Sequence, residues 1–140
     1  MNDLEWFVLA LLSAVFAAFV SIFAKMGLNT IDPTVATAVR SIIMTMFIVV
    51  FVSATGKGSQ LTQLNSRHVG FVVLSGISGA LSWLFYFAAL KLGDASKVAP
   101  IDKSSMLMIV ILAALFLGEK ITLKTGMAEI LIFTGILLLP

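Results

Sequence analysis

The sequence predicts an all-α integral membrane protein in which five transmembrane helices take up nearly the whole chain. Three observations carry this expectation. Sixty per cent of the 140 residues are hydrophobic and 11% are charged, whereas a soluble domain is about 45–50% apolar, glycine included, and about 25% charged. Mean hydropathy is +1.12. The apolar residues also fall in runs close to 20 residues long, the length that crosses a bilayer. A soluble fold of this size has too little interior to hide so much apolar surface; lipid removes the problem by acting as the apolar solvent.

The first span is read over residues 6–24. A signal peptide would begin with a basic segment and end in a cleavage site with small residues. Here Asp3 and Glu5 precede the run and Trp6 opens it, so it reads as a helix that stays in the membrane. The second span covers residues 34–52 and is interrupted by Arg40. The third, residues 69–90, is the longest uncharged run. The fourth, residues 98–117, carries Asp102 and Lys103 near its start, and the fifth, residues 121–139, carries Glu129. Lys25-Met26-Gly27 and Lys91-Leu92-Gly93 are read as helix ends, with a Lys at the negative end of the dipole and a Gly free to adopt the left-handed cap. Pro33 and Pro100 are read in the first turn of the helices that follow, where a missing N–H costs little. The segment 54–66 is the longest polar connection. None of these connections is long enough to fold by itself, so the sequence reads as one membrane domain.

The formal charge is +2, but the nine Lys and Arg sit singly at helix ends, which is an anchoring pattern and gives no footprint for nucleic acid. There is no Cys and a single His, His68, so thiolate and imidazole metal clusters have no ligands, and no cofactor is expected. Small residues recur every four positions, as Ser13, Ala17 and Ser21 on the first span and as Ser75 and Gly79 on the third. Such spacing lets helices approach closely where lipid provides no hydrophobic drive. Packing is the plain reading; the alternative is that some of these residues line a water-filled cavity.

Charge gives almost no orientation. An odd number of spans puts Lys25, Arg40, Lys91, Lys97 and Lys103 on one side and Lys57, Arg67, Lys120 and Lys124 on the other, and it is Lys/Arg bias that orients membrane proteins. Either a weak bias suffices, or copies insert both ways and pair antiparallel, generating from one chain the symmetry of inverted-repeat transporters.

The stretch 81–90, followed by Gly93-Asp94-Ala95-Ser96-Lys97-Val98-Ala99-Pro100 and later by Leu115-Phe116-Leu117-Gly118-Glu119 and a last helix with Gly126 and Gly135, resembles the EamA domain of the drug/metabolite transporter superfamily. Ile22-Phe23-Ala24-Lys25 and Arg40 match in kind. The resemblance covers essentially the whole chain. Family members mostly carry two inverted five-helix repeats and move metabolites such as amino acids. The resemblance therefore implies that this chain is one inverted-repeat half, and it favours antiparallel pairing.

Charges inside a membrane are costly and are functional candidates by default. Arg40 lies about 10 Å into its helix; it could clamp a carboxylate or phosphate, snorkel to headgroups, or pair with Asp102. Asp102 and Lys103, as helical neighbours about 100° apart, are expected to face different surroundings, with Lys103 opposing the dipole of a helix start. They serve either as a titrating or solute-contacting pair or as a hydrated interfacial turn. Glu129, near mid-membrane, is a candidate proton carrier or a hydrogen-bonded contact between copies. Trp83 and Tyr86 share a helix face at a depth suited to an aromatic wall for an organic substrate or a cation, and core or lipid-facing packing would place them similarly. Glu119, as a matched motif residue, is a candidate gate, or half of an interfacial pair with Lys120.

The expected protein is thus a secondary transporter of a small organic solute in a bacterial-type cytoplasmic membrane, an antiparallel homodimer coupled to protons or to exchange. An accessory subunit pairing with a different small membrane protein is the second reading. No catalytic set is visible that would make it an enzyme.

Overall fold

A computed structural model describes residues 3–139, and among these every regular element is helical. Four helices are long and apolar enough to cross a membrane: Leu4–Gly27, Pro33–Ala54, Ser66–Leu92 and Ala95–Leu117. By its internal contacts the chain divides into two compact units, Met1–Leu92 and Gly93–Pro140.

The first unit holds α1 (Asp3–Gly27), α2 (Pro33–Ala54) and α3 (Ser66–Leu92), with a short 3-10 helix at Lys57–Gln63 in the connection between α2 and α3. The starts of α2 and α3 are set by capping. The Asp32 carboxylate accepts the Thr34 N–H at 2.8 Å and Pro33 opens the helix, satisfying one orphan donor and needing none at N1. Asn65 Oδ1 accepts the His68 N–H at 2.9 Å at the start of α3. The hydrogen bond from Thr34 holds the Asp32 carboxyl below the usual aspartate range.

The ends of the three helices are tied by two lysines. Lys25 Nζ, in the last turn of α1, donates to the Leu90 carbonyl of α3 at 2.6 Å. Lys91 Nζ, at the end of α3, donates to the Ile31 carbonyl just before α2 at 3.0 Å. Lys25 thus supplies a donor to a carbonyl in the last turn of α3, and Lys91 one to a carbonyl in the connection that leads into α2. Leu28 and Leu90 are buried at this end, at 2% and 0% exposure.

Few apolar side chains are otherwise hidden. Among the described residues, Leu28, Tyr86, Phe87, Leu90 and Ile136 are the buried ones, while residues such as Phe47 and Phe71 stand about two-thirds exposed. In water this arrangement would aggregate; in lipid it is solvated. The hydroxyls agree. Thr37, Ser41, Thr45, Ser53, Ser78 and Thr134 each donate to the carbonyl four residues earlier, so polar groups are satisfied on their own helix, as hydrocarbon requires.

The second unit departs from two sequence expectations. The fourth span starts at Ala95, so Pro100 lies inside α4 (Ala95–Asp102) instead of in its first turn. The proline ring cannot supply the helical N–H and crowds the preceding turn. The helix closes two residues later through i−3 bonds from Lys103 to Pro100 and from Ser104 to Ile101, both 3.0 Å. It resumes as α5 (Ser105–Leu112) and ends in a π-helical turn, Ala113–Leu117. The last helix, α6 (Leu123–Leu137), has 15 residues, or about 22 Å. It is shorter than the 121–139 run and starts where the Thr122 hydroxyl caps the Thr125 N–H.

The left-handed caps also fall elsewhere. Gly27 is the last residue of α1, and the glycines with positive φ are Gly56 and Gly118. Gly118, at φ +70°, ends the fourth span, its N–H and that of Glu119 both returning to the Ala113 carbonyl.

Substituting Gly118 by Ala meets open space, so its cost is conformational alone, about 1–2 kcal/mol, read as a loss of thermal stability in detergent. Lys25→Met, which deletes a part-buried charged donor, should cost about 1.5–3 kcal/mol, and the exposed Lys91→Met under about 1 kcal/mol. The Asp32 cap contributes fully above the ordinary aspartate pKa and is lost as pH falls through its lowered value. Acid melting curves of Asp32→Asn should lack that component and be unchanged near neutrality.

Candidate functional site

The site with the most chemistry lies in the first unit, about two turns inward from the lysine-tied end. Antiparallel packing of α2 against α3 brings positions at matching depth together: Arg40 is about 10 Å past Pro33, and Trp83 about 12 Å before Lys91. The Arg40 guanidinium carbon stands 3.7 Å from the centre of the Trp83 ring and 5.8 Å from that of Phe87. Both are cation–π distances.

The aromatic group is itself ordered. Trp83 meets Tyr86 and Phe87 edge-on, each with ring centres 5.5 Å apart, the i+3 and i+4 neighbours that share a helix face. Tyr86 and Phe87 are buried and Trp83 is half-buried. The Tyr86 hydroxyl lies 2.6 Å from that of Ser21 on α1, and Ser21 also donates to the Ala17 carbonyl at 3.0 Å. Three helices thus fix one aromatic surface, and Arg40 is laid on it.

Of the sequence-predicted candidates, the fold brings Arg40, Trp83, Tyr86 and Ser21 together. Phe87 escaped the sequence reading although its spacing from Trp83 places it on the same face. Ser21 was read only as a packing residue. The pairing of Arg40 with Trp83 had no local sequence signal, because it depends on the register of α2 against α3.

The second unit holds the other candidates. Asp102 and Lys103 do face each other, with Nζ 3.3 Å from Oδ2. Lys103 keeps a helical φ of −70°, so the two side chains still leave the backbone about 100° apart, and the contact is made by the reach of the long Lys stem. Lys103 occupies the C-cap of α4 and directly precedes Ser104, the N-cap of α5, so it stands between the negative end of one helix dipole and the positive end of the next. Glu119 is exposed in the connection after Gly118. Glu129, on α6, is half-buried, and its Oε2 is buried without a hydrogen-bond partner among the described residues. Of the small-residue positions, Ala17, Ser21 and Gly79 are half-buried, and Ser13 and Ser75 are exposed. A Cβ added at Gly79 would meet nothing within 4 Å. Among the described residues no three His, Asp or Glu gather as metal ligands.

A double-mutant cycle should register the Arg40–Trp83 contact. Trp83→Leu is expected to destabilise the wild-type chain more than the Arg40→Leu chain, with a coupling of about 0.5–2 kcal/mol in denaturation measured in mixed micelles. Additive effects would mean that the two side chains do not interact.

Residues 4–139 match the EamA-like transporter family. The chain is also 44% identical over 135 residues to a Sinorhizobium sp. protein named "Uncharacterized transporter in cobO 3'region", with 96% of each chain covered. No solved structure matches it. With four helices able to span a bilayer, it is a multi-pass membrane protein. The chain belongs to the EamA-like transporter family.

Proposed function

We propose that the protein is a secondary transporter that moves a small organic solute across a bacterial-type cytoplasmic membrane. The observation that carries this reading is the family match over residues 4–139, supported by the name of the 44% identical relative. The geometry agrees with it. A charged guanidinium is laid on an aromatic surface at membrane depth, which costs free energy that packing alone would avoid. The assignment to transport, and not to catalysis, rests on the same match.

In this reading the chain is a single domain of five spans. The fifth comprises α6 with its apolar flanks in the 121–139 run, since 15 helical residues alone fall short of a bilayer. Two copies pair antiparallel and rock about a cavity near mid-membrane. Support comes from the near-even split of Lys and Arg between the two sides and from the open space beside Gly76 and Gly79 on α3. Gly79 pairs with Ser75, and Gly76 with Ala80, at the four-residue spacing of close helix contacts. Glu129 is the proposed proton carrier, its Oε2 being buried with no hydrogen-bond partner among the described residues.

The absence of Cys makes topology directly measurable. Cysteines introduced singly at Lys57 and at Lys97 should each be labelled by an impermeant maleimide from both faces of the membrane in one cell population. Labelling of each from one face alone would rule out dual insertion. In proteoliposomes, Glu129→Gln should abolish solute accumulation driven by a pH gradient while solute–solute exchange persists. Unchanged gradient-driven accumulation would remove Glu129 from the coupling role.

A further inference from the structure

We propose that the Arg40 site recognises an organic oxyanion, a carboxylate or phosphate ester carried on an apolar body. The inference rests on the transporter reading above and names the class of its solute.

Three observations lead there. First, Arg40 is short of acidic neighbours along the chain: between residues 6 and 93 the single acidic side chain is Asp32, which already caps α2 through Thr34. Second, Arg40 is held at depth. A snorkelling Arg would extend toward the headgroups. Instead its guanidinium lies against Trp83, whose own position is about 12 Å from the helix end. Third, Arg40 meets aromatic rings, its guanidinium carbon standing 3.7 Å from the centre of the Trp83 ring and 5.8 Å from that of Phe87. Rings of this kind offer no carbonyl or carboxylate acceptor for the guanidinium N–H groups. A planar fork of N–H donors fits a carboxylate or phosphate through two parallel bonds.

The surroundings narrow the solute further. Trp83 and Phe87 present carbon surface beside the fork, and the nearby polar groups, Tyr86 and Ser21, are neutral and already bonded to each other. A cationic solute would be repelled by the guanidinium, whereas a carboxylate would cancel its charge and a phosphate monoester, carrying about −1.5 to −2 at pH 7, would leave the loaded site net negative. Arg40 stays protonated throughout the accessible range, so the pH dependence of recognition follows the solute's own ionisation.

The test uses the full chain with Trp6→Phe, which leaves Trp83 as the one tryptophan. In phosphatidylcholine vesicles, Trp83 emission is followed during titration with benzoate, phenyl phosphate, benzamide and benzylamine, and the same four probes are applied in solid-supported-membrane recordings. A saturable response to benzoate or phenyl phosphate, absent for benzamide and benzylamine, is expected. It should weaken by about tenfold or more in Arg40→Gln, with Arg40→Lys intermediate, since Lys keeps the charge and loses the fork. Benzoate binding should also fade as pH drops through the pKa of benzoate itself. Equal oxyanion binding by folded Arg40→Gln would overturn the proposal, as would a preference for benzylamine or benzamide. Loss of benzoate binding when phosphatidylglycerol is added would assign Arg40 to lipid headgroups and overturn a soluble ligand. Currents with benzylamine and none with either oxyanion would overturn the solute class and leave transport standing. Saturable oxyanion binding with no translocation of any probe would keep the site and overturn the transport reading.

Discussion

A guanidinium two turns inside a membrane-spanning helix carries a cost of about 2.5–3.5 kcal/mol on insertion scales, and the organisation of the first unit follows from holding it there. Trp83 and Phe87 offset part of that cost through the quadrupoles of their rings. For them to do so, α2 and α3 must be antiparallel neighbours in one register. Lys91 on the Ile31 carbonyl fixes the end of α3 against the start of α2, and Lys25 on the Leu90 carbonyl adds α1. Ser21 and Tyr86 repeat the α1–α3 tie further in. Charge at the helix ends sets the register, and the register positions the charge inside.

The two lysine ties have a second consequence. Helix ends in a membrane protein expose carbonyls that hydrocarbon cannot satisfy. Here the Leu90 carbonyl in the last turn of α3 and the Ile31 carbonyl in the connection before α2 are each answered by a Lys from another helix, so satisfying the backbone and fixing the packing are one event. The buried apolar side chains of this unit, Leu28, Tyr86, Phe87 and Leu90, all lie near those ties. Along the rest of the three helices, carbon faces outward and contributes to solvation by lipid more than to internal packing.

The broad architecture was legible in the residues because hydropathy and length constrain a membrane helix strongly. The spans at 6–24, 34–52 and 69–90 lie within α1, α2 and α3. The fourth was less legible. Its apolar run continues through Ile101, but Pro100 and the polar group Asp102 to Ser104 divide α4 from α5, and the helix begins earlier, at Ala95, than hydropathy alone suggests. The last helix is shorter than its apolar run because Thr122 offers a cap inside it. In the site, Arg40, Trp83 and Tyr86 stood out as costly or unusual at depth, whereas Phe87 and Ser21 were indistinguishable from ordinary membrane side chains. The Asp102–Lys103 contact was missed because the 100° between neighbouring positions was applied without the reach of a long Lys side chain. Contacts between helices depend on register, which one sequence does not print.

The depth and contact of Arg40 can be read in lipid by solid-state NMR. Arg67→Lys leaves Arg40 as the one arginine, and Trp6→Phe leaves Trp83 as the one site for fluorotryptophan. Dephasing of the labelled arginine Cζ by ¹⁹F on Trp83 then reports their contact, and dephasing by lipid ³¹P reports snorkelling. Strong dephasing by fluorine with little by phosphorus is the predicted result. Strong dephasing by phosphorus with none by fluorine would place the guanidinium among the headgroups and contradict the account.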